Sequence, residues 1–438
     1  MKETLSIAWP AVLESFLVSI TNFVDSLMVS SMGATAIAAI GLTTQPKFLM
    51  LCFFLATNVA VSAIVARRRG EKNRDGAVRV LRTALIFTIV LTLILSSFFI
   101  LIDDFIIDLA GSRPETHELA VEYFDIIIIG MIFNTIMLCI NAAQRGAGNT
   151  KIAMTTNMTS NVVNVIFNYL LIGGHFGFPA LGVKGAAIAT VIGTMFGCTI
   201  GIFSVFNKKS FVYFRGVKGW LADSFSIKSM FSVGMSSFVE QVFLRIGFFL
   251  FALTVANLGT TEFAAHQVGM NFMHLSFSFA DGLQVASVAL VGRSLGQSRR
   301  DMARLYSSAC QRLGLLCAFV ISLVFLFLGR PMFSLFSKDP VILDYGVMML
   351  RVLCVAIYMQ IQQVVILGSL RGAGDTKYTA MVSLICVTFI RPGFSWLLCY
   401  PCGLGLLSVW LGTFADQIAR FTFGWIRFKK GDWLNIRI

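Results

Sequence analysis

Residues 145–151 read RGAGNTK and residues 371–377 read RGAGDTK, identical at six of seven positions and offset by 226 (371 − 145). The same offset aligns VAVSAIVARRRG at 59–70 with VASVALVGRSLG at 285–296, identical at six of twelve. It also pairs Ala38-Ala39 with Ala264-Ala265, Asp75 with Asp301 and Glu14 with Glu240. One ungapped register through separated stretches marks two copies of one unit of about 220 residues. The fold must therefore be one that a duplicated unit can build. Places where the copies differ are where function need not be shared.

What the unit is follows from its apolar runs. The chain is 57% hydrophobic and only 13% charged, against roughly 25% charged in a soluble domain, and its mean hydropathy is +0.80. Runs long enough for the ~20 residues of a spanning helix recur. They lie at 6–30, 35–66, 81–102, 118–142, 152–173, 183–206, 229–257, 262–292, 308–329, 342–370, 377–399 and 405–426. The expectation is an all-α membrane protein of twelve transmembrane helices, six per repeat. Several runs are long enough to require tilt. Pro10, Pro46 and Pro392 fall inside runs and mark possible bends.

An even number of spans per copy starts both copies on the same membrane face. The repeats are then parallel, as in some secondary transporters, forming an N-lobe at 1–206 and a C-lobe at 229–438 around a central cleft. The stretch 207–228 reads as a cytoplasmic amphipathic linker near the headgroups.

The formal charge of +13 raises a nucleic-acid reading, which its distribution opposes. Arg67, Arg68, Arg69, Lys72, Arg74, Arg79 and Arg82 follow the second span, and similar clusters follow the other even-numbered spans. Loops after odd-numbered spans carry only Arg113, Lys184, Arg330 and Lys338. That is the positive-inside bias. It implies cytoplasmic termini, a multi-pass protein of the cell membrane, and basic loops that contact anionic lipid, with no nucleic-acid partner. Nine cysteines are scattered, and the Cys399/Cys402 pair lacks the surroundings of a redox motif.

Ionisable groups inside a bilayer are costly and so are functional candidates. They are Glu14, Asp25, Lys47, Glu240, Arg245, Arg351, Arg391, Asp416 and Arg420, with His266, His274 and Asp281 in the eighth span. Glu14 and Asp25 are eleven residues apart, about three turns, and share a helix face. Asp25 has no acidic counterpart, since the register places Phe251 there. A scaffold role tends to survive in both halves, whereas a chemical role can be confined to one. Asn157, Asn161, Asn164 and Asn168 form one stripe on the fifth span. They read either as interhelical glue or as an amide-lined pocket facing the first span, with Thr190 adding a hydroxyl. Oxygens of this kind suit a hard cation, or a proton on the carboxylate. Glu240 reads as a partner of Arg245 or as a cavity carboxylate. Lys47 requires an acid, for which Asp25 and Glu14 are candidates. Gln360, Gln362, Gln363 and Asn134 add interior polar groups, and Asp416 with Arg420 forms an i,i+4 pair.

These residues resemble the MATE transporters, the multidrug and toxic compound extrusion family. The resemblance rests on the two RGAG loops, Trp9-Pro10 followed by Asp25, LGVKGAAIAT at 181–190, AAHQ at 264–267 and LVGRSLGQ at 290–297. It implies export of small-molecule organic cations by a monomer, in exchange for Na⁺ or H⁺, with no other cofactor and no enzymatic activity. It further implies a coupling-ion or proton site at Asp25, Asn164, Asn168 and Thr190, the first three being the Na⁺ ligands if a metal ion binds. Glu240 matches a seventh-helix glutamate of the branch described as sodium-coupled. Asn168 and Gln360 stand where some members carry aspartates, which removes negative ligands and favours H⁺. The competing reading is a flippase or exporter of lipid-linked or anionic metabolites in the same superfamily. Lys47, Arg245, Arg351 and Arg391 support it, while twelve spans and Asp25 oppose it. The RGAG loops lack P-loop spacing, so no ATP-driven transport is implied.

Overall fold

In a computed structural model the chain is described over residues 2–436, apart from 31, 33, 209, 218, 220, 335 and 337–339. The side chains of residues 22–27, Asp25 among them, also lie outside the described set. The described residues are helical, with no strand. In order they form α1 (Lys2–Ser30), α2 (Ala34–Gly70), α3 (Arg74–Leu101), the short α4 (Asp103–Leu109), α5 (Pro114–Gly146), α6 (Thr150–Gly173) and α7 (Gly182–Val205). The second copy supplies α8 (Ser224–Ala256), α9 (Thr260–Gly296), α10 (Arg300–Ser334), α11 (Pro340–Ala373), α12 (Thr376–Ser383) and α13 (Arg391–Cys399), which share one span, and α14 (Leu406–Lys430).

Nine helices among the described residues are long and apolar enough to cross a membrane. The other three long helices are α1, whose apolar stretch is described over Thr4–Val18, and the more polar α6 and α14. The apolar exterior agrees with a multi-pass membrane protein: Leu101, Phe327 and Phe231 are 81%, 74% and 70% exposed. Such belts are tolerated where the solvent is lipid.

The helices depart from the expected runs in two places. Between α3 and α5 the chain turns through α4, a seven-residue helix that the hydropathy does not signal. The eleventh run forms one helical stretch, Thr376–Cys399, with a π-helical turn at Leu384–Ile390, and Pro392 follows that turn directly. Pro10 and Pro46 lie inside α-helices without such a turn.

The chain divides into two compact units, one of Leu13–Gly234 and one of Met1–Val12 with Met235–Ile438. Both boundaries fall inside the first helix of a repeat, α1 and α8. The first unit has its own apolar core around Phe54, Phe124, Ile128 and Met131. The second is built around Phe272, Phe325, Phe333 and Trp410 and takes in Ile7 and Ala8. The 226-residue register holds atom by atom. Ser96 Oγ donates to the Ile128 carbonyl and Ser322 Oγ to the Cys354 carbonyl, both at 3.1 Å.

The stretch after α7 belongs to the first unit and is bound to it by arginines. Arg74 donates to the carbonyls of Tyr213 (2.7 Å) and Arg215, and Arg82 to those of Phe214 (2.6 Å), Val217 and Gly219 (2.7 Å). Their guanidinium groups lie over the Tyr213 and Phe214 rings. Several of the basic residues that the sequence assigns to lipid therefore clamp this segment. Burial pushes the Asp223 carboxyl up, but hydrogen bonds from Ser226 and the charge of Arg68 outweigh it and hold the group below the usual carboxylate value. In the second unit the tail after α14 plays the same part, burying Trp433 with Leu295, Leu367 and Leu370.

Candidate functional site

The RGAG loops are the ends of α5 and α11, and each ties a buried acid. Gly148 and Gly374 adopt φ of 71° and 91°, left-handed values that a side chain would strain. One residue on, the Asn149 and Asp375 amides return to the carbonyls of Gln144 and Leu370, both at 2.8 Å. Gly146 lies against the Ser62 carbonyl and Gly372 against that of Val288, so the loop helix packs on α2 and on α9 alike. This seats the two arginines. Arg145 Nη2 bonds Glu14, which also accepts from Asn157 Nδ2 at 2.5 Å. Arg371 Nη2 bonds Glu240 at 2.5 Å, and Ser383 Oγ donates to the same oxygen at 2.7 Å. Every member has its counterpart 226 residues on. Glu14 and Glu240 are 6% and 2% exposed.

These contacts correct the expected partners. Glu240 pairs with Arg371, 131 residues away. Five residues turn a helix by about 140°, so Arg245 lies on another face of α8, where it is half-buried. Glu14 is held by Arg145 and Asn157 rather than by Lys47, which is half-buried on α2.

The asparagine stripe of α6 is divided between two partners. Asn157 faces the Glu14 carboxylate on α1. Asn164 and Asn168, 6% and 2% exposed, face α7. Asn168 Nδ2 donates to Asn164 Oδ1 at 3.3 Å, Asn164 Nδ2 to Thr190 Oγ1 at 3.2 Å, and Thr190 Oγ1 to the Ala186 carbonyl at 2.9 Å. Gly185, Gly193 and Gly197 let α7 approach the carbonyls of Leu171, Ser160 and Thr156, small-residue packing of the kind found between membrane helices. Three of the four residues expected to form the coupling site are thus one connected polar chain in the first unit. The fourth, Asp25, lies on α1, and its side chain is outside the described residues.

The second unit holds a different set. Gln360 Nε2 donates to Ser276 Oγ at 2.9 Å and Gln363 Nε2 to Gln417 Oε1 at 3.2 Å. Gln362 donates to the Gln311 carbonyl, whereas Asn134, on α5 of the first unit, approaches Met131 Sδ. The Asp416–Arg420 pair is present at 2.6 Å, and Arg391 joins it at 2.6 Å on the same carboxylate oxygen. Sequence reasoning missed Arg145, Arg371 and Arg391 as partners. For the first two a signal existed, because glutamate and arginine both recur at the repeat offset.

The MatE family model matches residues 10–170 and again 236–397, at the same offset of 226 (236 − 10). The chain is similar to the probable multidrug resistance protein NorM of Thermotoga maritima, 27% identical over 435 residues, covering 99% of this chain and 93% of that protein. It is also similar to a probable multidrug resistance protein NorM of Pseudomonas putida, 25% identical, covering 97% and 94%. Among solved structures, an outward-facing multidrug resistance MATE transporter superposes with a TM-score of 0.91 at 20% identity, over 98% of this chain and 96% of that one. A transporter of the MOP superfamily from Pyrococcus furiosus gives 0.91 at 19% identity, over 100% and 97%. At these identities the structural likeness is one of fold.

Proposed function

Because the chain belongs to the MATE family of transporters, whose model covers both of its repeats, we propose that it exports organic cations across the cell membrane in exchange for protons. Its termini are cytoplasmic and access to substrate alternates between the two sides. The relatives named for multidrug resistance support the substrate class. The coupling site is Asp25 with Asn164, Asn168 and Thr190.

The observation that carries this reading is the unequal fate of the acids in the repeats. Glu14 and Glu240 recur and are each neutralised by an arginine of their own unit, the pattern of a scaffold. Asp25 occurs in one repeat only, on the helix that also carries Glu14, and the amide–hydroxyl chain of Asn168, Asn164 and Thr190 occurs in that repeat only. Two amides and a hydroxyl add no negative charge to the single carboxylate. Na⁺ would be held mainly by neutral oxygens, whereas a proton needs only the carboxylate, whose affinity for it rises on desolvation. Gln360 and Glu240 are assigned to the packing of the second unit.

Efflux of a fluorescent organic cation from cells tests the assignment. Asp25→Asn should abolish efflux at normal membrane insertion, and Asn164→Ala should weaken it. Wild-type efflux by a correctly inserted Asp25→Asn protein overturns the reading.

A further inference from the structure

The register assigns every residue of the proposed coupling site a counterpart in the second unit. Position 25 becomes Phe251, 164 becomes Ile390, 168 becomes Phe394, and Thr190 becomes Asp416 (190 + 226). Val165, between the two asparagines, becomes Arg391. By the register, the second unit carries its carboxylate on the sixth helix of the repeat rather than the first, and a guanidinium stands opposite it.

The packing joins the same two helices of each repeat, at positions one residue apart. In the first unit Thr190 meets the α6 position 164. In the second, Asp416 meets position 391, the counterpart of 165. Arg391 and Asp416 are both wholly buried. Arg391 Nε and Nη2 reach Asp416 Oδ2 at 3.1 and 2.6 Å, and Arg420 Nη2 reaches that oxygen at 2.6 Å. The guanidinium lies over the rings of Phe248 at 4.8 Å and Phe251 at 5.4 Å. The residue that replaces the first unit's acid thus gives the cation an aromatic face.

Stability does not explain the arrangement. A buried ion pair seldom stabilises more than an apolar replacement would, and this cluster carries two arginines for one aspartate.

We propose that the second unit contains the symmetry-related cation site, closed by the chain's own guanidinium: Arg391 sits where a free cation would sit, tethered and permanently bound to Asp416. The ligand class of the underlying site is a monovalent cation, best a planar guanidinium. The transporter then has one exchangeable coupling site rather than two. Comparison with the first unit rests on the function proposed above, but occupancy of the Asp416 site does not.

The test is chemical rescue read by thermal unfolding of the purified protein, which involves neither transport nor Asp25. Arg391→Ala should lower the unfolding temperature, and methylguanidinium should raise it again, saturably, with choline at equal ionic strength ineffective. Wild-type protein should show no such rise, and neither should Arg391→Ala combined with Asp416→Asn. Equal effects of choline and methylguanidinium, or none of either, overturn the proposal. Should Arg391→Ala fail to fold, the charge-free triple variant Arg391→Gln, Asp416→Asn and Arg420→Gln decides, since Arg420 bonds the same carboxylate. It should fold and keep the wild-type dependence of transport on its driving ion, and a folded triple variant that has lost that dependence overturns the proposal.

Discussion

Arg371→Ala is the sharpest test of the repeated glutamate–arginine ties. Glu240 has 3% of its side chain exposed and Arg371 15%. Removing the arginine leaves a buried carboxylate with one neutral donor, Ser383 Oγ at 2.7 Å. Loss of one partner of a buried pair costs about 3–5 kcal/mol. For a unit of this size each kcal/mol moves the unfolding temperature by about 2–4 °C, so the variant should melt about 6–20 °C lower. Glu240→Gln is the milder change. The amide still accepts from Ser383, and the partly exposed Arg371, near the end of α11, can turn its charge toward water. Its cost should be about 1 kcal/mol. Combining Glu240→Gln with Arg371→Ala should recover most of the loss, because the uncompensated charge is gone. The buried free cysteines, among them Cys310, Cys354 and Cys386, permit the melt to be followed with a thiol-reactive dye. The reasoning is refuted if Arg371→Ala melts with the wild type, or if Glu240→Gln abolishes transport at an unchanged melting temperature. The second result would make Glu240 a coupling acid.

Gly148→Ala and Gly374→Ala force a side chain into the left-handed conformation at φ of 71° and 91°, and each should cost about 1–2 kcal/mol in a thermal melt. Arg82→Ala removes the donor to three linker carbonyls, so limited proteolysis should cut within 213–222 several times faster while the helices stay protected. Asn168→Asp adds a second negative oxygen beside Asn164, and transport should become more dependent on Na⁺ in a sodium titration at fixed pH. Unchanged sodium dependence would remove Asn168 from the ion site.

The duplication and the membrane class were legible because both are written in patterns that need no partner: a fixed offset and long apolar runs. Asp416 with Arg420 was legible because an i,i+4 spacing places both on one helix face. The partner of Glu240 was not, because a nearby arginine at i+5 competes on paper with one 131 residues away, and only the helix turn decides between them. The grip of Arg74 and Arg82 on the segment after α7 was hidden for another reason. Their acceptors are backbone carbonyls, which leave no signature in the residue types around them. The π-helical turn before Pro392 is tied to another helix: Thr388 Oγ1 donates to the Phe243 carbonyl of α8 at 3.1 Å. Such a contact is readable only once the neighbouring helix is placed. The asparagine stripe signalled polar company but not its division, since a stripe of about three turns passes one neighbour at one end and another at the other.

The central claim is that one carboxylate, Asp25, couples proton entry to cation export. Purified protein in liposomes, loaded with a fluorescent organic cation and given either a proton gradient at equal Na⁺ or a Na⁺ gradient at equal pH, tests it directly. The account predicts transport driven by the proton gradient in the wild type and none in Asp25→Asn. Transport that follows the Na⁺ gradient and ignores the pH gradient would contradict it.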